Sequence, residues 1–505
     1  MYRRNTVFKS ALKIRIFWLM SLLIVLLGIG VSSQVRVFAA NVSTSEPPLR
    51  ITEPVGDIVA DLEEFIPTHM NLEGVPGLAI ALIRDNEVAW AGGFGVANTM
   101  TGESVTANTV FEVASNSKVV TAYTALRLVD RGLLSLDEPV NTYLSEPWLP
   151  PSEYGEQITL RHLASHSSGL SDNQLLLDKS IHFKPGSDFL YSGVGALYIQ
   201  ETIEQVTGQP LDKVANALVF EPLGMTSSSF VNSVDMRPRL ANGHMDYILP
   251  VLAFTVPFVL IFVALGLIGL LILRIRSGTW RPTRKMVVGT SLVAGSLTLL
   301  VFVLLIGKDL PNLVFLIAAV GIVFVLAFTV MDRIGRSLFT RLPGALQGRK
   351  TQGLLRITWV GLSIFALLWL AGMITGPLPA ALSSQPSAVG SLRTSATDLA
   401  TFLLEVAEPQ YLNPELGTQV RTPQVSAGKK MSWGLGLGIQ HGDHGNMLWQ
   451  NGQTFGFRSL MVIYPEQHIG VVVLTNSDHG FPLACDVAQR ALGGSAIPDI
   501  VTWLE

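Results

Sequence analysis

Apolar positions along the chain follow two patterns. Five runs are continuously apolar, and elsewhere apolar residues recur with the periods of strands and helices. The N-terminus reads MYRRNTVFKSALKIR, continues into the apolar run Ile16 to Val31, and then reaches Val37-Phe38-Ala39-Ala40. A basic start, an apolar stretch and small residues at a cleavage position predict a signal peptide or an N-terminal anchor over 1–40. Either one exports the chain from Asn41 onward. The other runs are Ile248–Leu273, Met286–Ile306, Leu313–Met331 and Ile357–Ile374, with no charged residue inside them. Each is close to the roughly 20 residues that cross a bilayer, which predicts four transmembrane helices in a block 248–374. Arg274, Arg276, Arg281, Arg284 and Lys285 separate the first two, and Arg333, Arg336, Arg341, Arg349, Lys350 and Arg356 the last two. Basic loops stay in the cytoplasm. Residues 41–247 and 375–505 are therefore both expected outside, on a multi-pass protein whose partners include the lipid bilayer.

Between these runs, Gly77–Arg84 and Glu87–Gly95 read as strands joined in a hairpin at Asp85-Asn86. A second hairpin is predicted where Arg458–Tyr464 and Ile469–Thr475 flank Pro465-Glu466-Gln467-His468. Val119, Ala122, Leu126 and Val129 give Ser115–Arg131 a helical spacing that Gly132 stops. Ile158–Leu163, Gly195–Val206 and Asp478–Leu492 also read as helices, and Ser43–Pro54 as a linker. Hairpins at both ends with helices between them predict an α+β architecture, an antiparallel sheet flanked by helices. If the first and last hairpins share one sheet, 41–247 and 375–505 are two parts of one domain interrupted by the membrane block.

Composition sharpens this picture. Charged residues make up 14% of the 505 residues, below the roughly 25% of soluble domains, and hydrophobic residues 49%. The 35 basic and 38 acidic residues nearly cancel, which argues against nucleic acid as a partner. The lone Cys485 excludes an internal disulfide and a multi-cysteine metal site. His441-Gly442-Asp443-His444 has metal-like spacing but reads as a glycine-rich loop without a helical frame, so no metal or organic cofactor is expected. The four mid-chain runs contain no ionisable residue, which favours anchoring over transport.

Ser115-Asn116-Ser117-Lys118 is an S-x-x-K tetrad. On a helix the i and i+3 positions share a face, so the lysine amine reaches the serine hydroxyl and can take its proton. A helix start also directs N–H groups toward a developing oxyanion. Two further tetrads, Ser10–Lys13 and Ser426–Lys429, show that the pattern also arises by chance. Alone, Ser115 reads equally as a helix cap beside an exposed lysine, and Tyr191 as a packed aromatic with a bonded hydroxyl.

The surrounding sequence decides more. Residues 111–118 (FEVASNSK), leading into Ala125-Leu126 and 133–140 (LLSLDEPV), resemble the serine β-lactamase-related family. That family includes class C β-lactamases, D-alanyl-D-alanine carboxypeptidases, D-aminopeptidases and esterases. The likeness continues in order through 158–170 (ITLRHLASHSSGL), 183–186 (FKPG) with 189–193 (FLYSG), 390–400 (GSLRTSATDLA) and 449–457 (WQNGQTFGF). It covers about residues 50–246 and 380–505. The resemblance implies a β-lactamase/DD-peptidase-like fold and acyl transfer through an acyl-enzyme. It implies Ser115 as nucleophile, Lys118 as its proton acceptor or relay, and Tyr191 as second base and later acid. The backbone N–H groups of Ser115 and Gln453 would form the oxyanion hole. Gly193 of the second motif, and Gln450, Asn451 and Gly452 of the third, would meet substrate. Substrates would be D-amino-acid peptides, such as a cell-wall stem peptide, or small esters and amides. Gly193 stands where the family carries Asn, and Gln450 where it carries Lys or His, which removes a positive charge from the expected carboxylate site. His162 and His166 are expected to make structural hydrogen bonds. Two other readings are a catalytically weak sensor of cell-wall fragments and a transporter with a soluble appendage.

Overall fold

The computed structural model describes residues 47–99, 101–172, 177–233, 235–244 and 385–494. The expected leader at 1–40 and the four expected membrane spans lie outside them. Among the described residues no helix is long and apolar enough to cross a membrane. In chain order the principal elements are α1 (Val55–Glu73), β1 (Gly77–Arg84), β2 (Glu87–Asn98), β3 (Glu103–Ser104), β4 (Phe111–Glu112), α2 (Asn116–Asp130), α3 (Leu160–Ala164) and α4 (Gly193–Thr207). Then come β5 (Arg393–Thr394), α5 (Ala396–Ala407), α6 (Pro414–Val420), β6 (Val425–Gly428), β7 (Met431–Trp433), β8 (Gly438–Gly442), β9 (Gly445–Thr454), β10 (Phe457–Tyr464), β11 (Ile469–Thr475) and α7 (Gly480–Leu492).

Asp85 and Asn86, at φ 53° and 61°, turn β1 into β2 with the double positive φ of a tight hairpin. His468, at φ 54°, closes the turn between β10 and β11. The two hairpins meet as expected: β1 pairs antiparallel with β11, from Leu78 opposite Thr475 to Arg84 opposite Ile469. The nine-stranded sheet runs β3-β2-β1-β11-β10-β9-β8-β7-β6, with every pairing antiparallel.

Both faces of the sheet are covered, so its central strands are buried along nearly their whole length. Leu78, Ile80 and Leu82 of β1 join Ile58, Leu62 and Ile66 of α1 and Leu483 and Val487 of α7. Ala79, Ala81 and Ile83 face the other way, into the core that holds Phe402 and Leu403 of α5 and Val119 and Leu126 of α2. The period of two survives as a choice between two cores rather than between core and water.

Several expectations are corrected. β2 continues past Gly95 to Asn98, because Val96 and Asn98 pair with β3. From Pro47 onward the expected linker is part of the fold: the Arg50 N–H donates to the Leu492 carbonyl at 2.9 Å, and its guanidinium bonds Glu53 and Asp61. Residues 441–444 are a strand end and a turn rather than a loop. The His441 ring bonds Ser432 and Asn446, each at 2.8 Å, while His444 Nε2 bonds the Pro47 carbonyl. Ser426, which begins one of the two chance tetrads, lies in strand β6.

A two-stranded ladder, β4 with β5, joins the strand leading to Ser115 to the chain returning after residue 384. Phe111 faces Thr394 and Glu112 faces Arg393. The fully buried Arg393 guanidinium lies 2.9 Å from the Glu112 carboxylate. A buried charge of this kind is tolerated because it is paired and hydrogen-bonded.

Candidate active site

Between β4 and α2 the chain reverses within three residues. Ala114 adopts φ 46°, a left-handed conformation uncommon for a residue with a side chain. Ser115 comes next as the N-cap of α2 and is half-buried. The first three N–H groups of α2 stay within the turn: those of Asn116, Ser117 and Lys118 donate to the carbonyls of Val113, Ala114 and Ser115 at 3.1, 2.9 and 3.0 Å, which holds the turn rigid beneath the Ser115 hydroxyl. On the next turn of α2, Lys118 is only 6% exposed. Its ammonium donates to Ser115 Oγ at 2.9 Å and to the Val389 carbonyl at 3.1 Å. The expected spacing of three thus becomes a direct bond between the two side chains.

Tyr191 approaches from the segment before α4. The Lys118 nitrogen lies 5.1 Å from its ring centroid, within cation–π range. Ser192 caps α4: its hydroxyl accepts from the Gly195 N–H at 2.8 Å and donates to the Ser171 carbonyl at 2.9 Å. Gly193 is buried at the first position of that helix, and its N–H donates to Asp172 at 2.6 Å.

Strand β9 forms the opposite wall. Its pairing with β8 ends at Trp449, so from Gln450 to Thr454 it pairs only with β10 among the described residues. Gln450 is 2% exposed, and its amide is turned inward, donating to the Tyr191 hydroxyl at 3.3 Å and to the Asn451 carbonyl at 2.7 Å. Asn451 is half-buried opposite Leu460, and Gln453 is exposed opposite Arg458. Gly452 stands where no side chain fits: a Cβ there would collide with the Val113 carbonyl oxygen and the Ser459 hydroxyl. That carbonyl accepts from Ser459 Oγ at 3.0 Å and Asn116 Nδ2 at 3.2 Å, and Asn116 also donates to Ser459 at 2.8 Å. The network holds β9 and β10 against the turn that carries Ser115.

The structure therefore gathers Ser115, Lys118, Tyr191 and Gln450 through direct contacts and sets Gly452 against the turn that carries Ser115. Gly193 contributes a helix start rather than a side chain. His162 completes the cap of α3, where its ring bonds the Thr159 N–H at 3.2 Å. Sequence reasoning missed the Val389 carbonyl and the Ser459–Asn116 network. A glycine inside a strand run, as at Gly452, was the available signal for a close backbone approach.

The sequence profile described as Beta-lactamase matches residues 62–291 and 347–494. Esterase EstB of Burkholderia gladioli is 28% identical over 222 residues, covering 38% of this chain and 56% of its own. Penicillin-binding protein 4 of Amycolatopsis lactamdurans is 29% identical over 187 residues, 34% of this chain and 49% of its own. A putative D-alanyl-D-alanine carboxypeptidase of Escherichia coli O157:H7 is 25% identical over 189 residues, 31% and 44%. This chain thus spans about half the length of the curated relatives it matches. The fold is shared with the octameric penicillin-binding protein homologue from Pyrococcus abyssi (TM-score 0.53, 20% identity, 88% of this chain and 77% of that one). It is also shared with D-alanine carboxypeptidase AmpC from Burkholderia cenocepacia (TM-score 0.53, 17% identity, 87% and 99%).

Proposed function

Because the chain belongs to the β-lactamase family, we propose that it is a serine hydrolase that passes the acyl group of an ester or amide through Ser115 to water. The observation that carries this reading is the 2.9 Å bond between Lys118 Nζ and Ser115 Oγ at a helix start. A serine hydroxyl becomes nucleophilic when a neighbouring base takes its proton. Lys118 accepts or relays that proton as Ser115 Oγ attacks the carbonyl carbon. The N–H groups of Ser115 and Gln453 receive the negative charge that develops on the carbonyl oxygen. Tyr191, which touches Lys118 and Gln450, delivers a proton to the leaving oxygen or nitrogen as the carbonyl–leaving-group bond breaks. Water then attacks the acyl-enzyme, losing a proton to the same pair, and Ser115 Oγ leaves with a proton.

The relatives' names support small esters and D-amino-acid peptides as the substrate class, and the third motif favours the members of that class that carry no free carboxylate beside the scissile bond. The relatives carry the names esterase and D-alanyl-D-alanine carboxypeptidase, and the third motif offers a neutral amide in place of a cation. With Gln450 donating to Tyr191, nothing in that motif attracts a substrate carboxylate by charge, so substrates lacking a carboxylate beside the scissile bond are favoured. The apolar runs of 248–374 support anchoring in a membrane with the hydrolase domain outside. The experiment is labelling with a fluorophosphonate probe and mass-spectrometric location of the adduct. The expected result is a single adduct on Ser115, absent in Ser115→Ala. An adduct on another serine, or none from a panel of esters, β-lactams and fluorophosphonates, refutes the assignment.

A further inference from the structure

His166 was expected only to make structural hydrogen bonds, yet its position bears on the reacting groups. It lies two residues beyond α3 with φ 55°. Its carbonyl accepts the Leu190 N–H at 2.8 Å, and its ring Nδ1 accepts the Ser192 N–H at 3.2 Å. The two bonds fall on either side of Tyr191. The ring itself packs on the tyrosine, centroid to centroid 4.4 Å at 44°, and meets Trp433 edge-on at 5.3 Å. We infer that His166 is a positioning residue that sets the height and tilt of the Tyr191 ring over Lys118, through the pair of bonds that bracket it.

The inference rests on the hydrolase reading, in which Tyr191 moves a proton. Only an unprotonated Nδ1 can accept from Ser192, so the ring must be neutral with its hydrogen on Nε2. Burial, with the Lys118 charge as a second cause, pushes the His166 pKa down to about 3, so this form persists at working pH. The positive φ restricts what can replace it. Asparagine tolerates that conformation and carries an acceptor near the Nδ1 position, while glycine tolerates it and carries none.

The test compares His166→Gly and His166→Asn with the wild type, using a short-chain p-nitrophenyl ester, a fluorophosphonate probe and thermal melting. His166→Gly keeps the carbonyl bond to Leu190 and loses the ring bond. It should lower kcat about 10- to 100-fold, as expected when a reacting group drifts by a fraction of an ångström to 1 Å, with KM moved less than threefold. His166→Asn should recover kcat to within about fivefold of wild type, since it restores the acceptor. Wild-type kcat in a folded His166→Gly overturns the inference, and so does an Asn variant as slow as the Gly variant. If the Gly variant does not fold, the Asn variant decides alone: near-wild-type kcat supports the role, and a hundredfold loss overturns it. Failure of the wild type to label at Ser115 would instead strike the hydrolase reading.

Discussion

Replacing Gly452 with alanine perturbs the site by a single methyl group whose surroundings are known. The new Cβ would lie well inside 3.0 Å of both the Val113 carbonyl oxygen and the Ser459 hydroxyl, a separation that real Cβ contacts essentially never show. The carbonyl is backbone and is already held by Ser459, Asn116 Nδ2 and the Asn116 N–H, so it cannot swing aside. Relief requires β9 to retreat from the nucleophile turn by on the order of 1 Å, which strains packing at a cost of about 1–3 kcal/mol. With an unfolding entropy of about 2.1 cal/mol/K per residue over roughly 300 residues, each kcal/mol shifts the melting temperature by about 1.6 °C, so it falls by about 2–5 °C. On the proposed mechanism the retreat also carries the Gln453 N–H away from the position of the developing oxyanion. A misplacement of 1 Å costs about 10²-fold in rate. The assay is the second-order rate of fluorophosphonate labelling beside a thermal melt at the same pH. Gly390→Ala serves as control: its Cβ would touch Ala114 on the other side of the turn at 3.7 Å, an ordinary contact, and should leave both readouts unchanged. A Gly452→Ala protein that labels at the wild-type rate refutes the placement of β9 as the oxyanion wall. One that is slow without any loss of melting temperature refutes the steric argument.

Lys118→Ala and Tyr191→Phe should each lower kcat on the order of 10²-fold or more, and the double variant by much less than the product, because the two act on one proton; clean multiplicativity would separate them. Gln450→Met removes a neutral donor from the Tyr191 oxygen and should cost about fivefold in kcat, with no further loss in a Tyr191→Phe background. Folding holds His166 neutral while the unfolded chain protonates near pH 6.5, so stability should fall as pH drops from about 6.5 towards 3; denaturant titrations of His166→Asn should show a shallower fall, and equal slopes would mean the ring is not buried as described. With Cys485→Ser as background, a cysteine at position 283 should resist an impermeant thiol reagent in intact cells and one at position 384 should react; the reverse pattern would contradict the proposed topology.

The hairpins around Asp85-Asn86 and 465–468 are legible in the sequence because turn chemistry and β-branched runs coincide there. Helix α2 is legible from its spacing and from the glycine that ends it. Helix α1 is hidden, since Pro67 interrupts it and Pro54 offers no capping side chain, although Ile58, Leu62, Ile66 and Met70 recur every four residues. Strands β6 to β9 hide behind glycine and polar residues, because their partners rather than their own propensity hold them extended. Burial of both Trp449 and Gln450 on one strand defeats any inference from alternation, so the inward turn of the Gln450 amide had no signature. The bracket that His166 forms around Tyr191 joins it to residues 24 and 26 positions away through a left-handed backbone, and no periodicity encodes it.

The place of β11 in the sheet has a consequence for the chain as it is made. It is the last of the described strands to be synthesised, yet it lies in the middle of the sheet, between β1 and β10. Arg84 pairs with Ile469, so β1 must wait for its neighbour through the synthesis of everything between them. At about 5–20 residues per second that interval is roughly 20–80 s, during which an apolar strand edge is open to other chains. Chaperone dependence should therefore concentrate on the β1–β2 hairpin. Ser115 and Lys118 also emerge long before β9 and β10, the strands that grip the Val113 carbonyl. A chain stalled or cut before Gly445 would carry the nucleophile and its base without the wall across from them. One cut between Tyr464 and Ile469 would have that wall but no strand to join it to β1. On the proposed function, hydrolytic competence would then arrive only with the final hairpin.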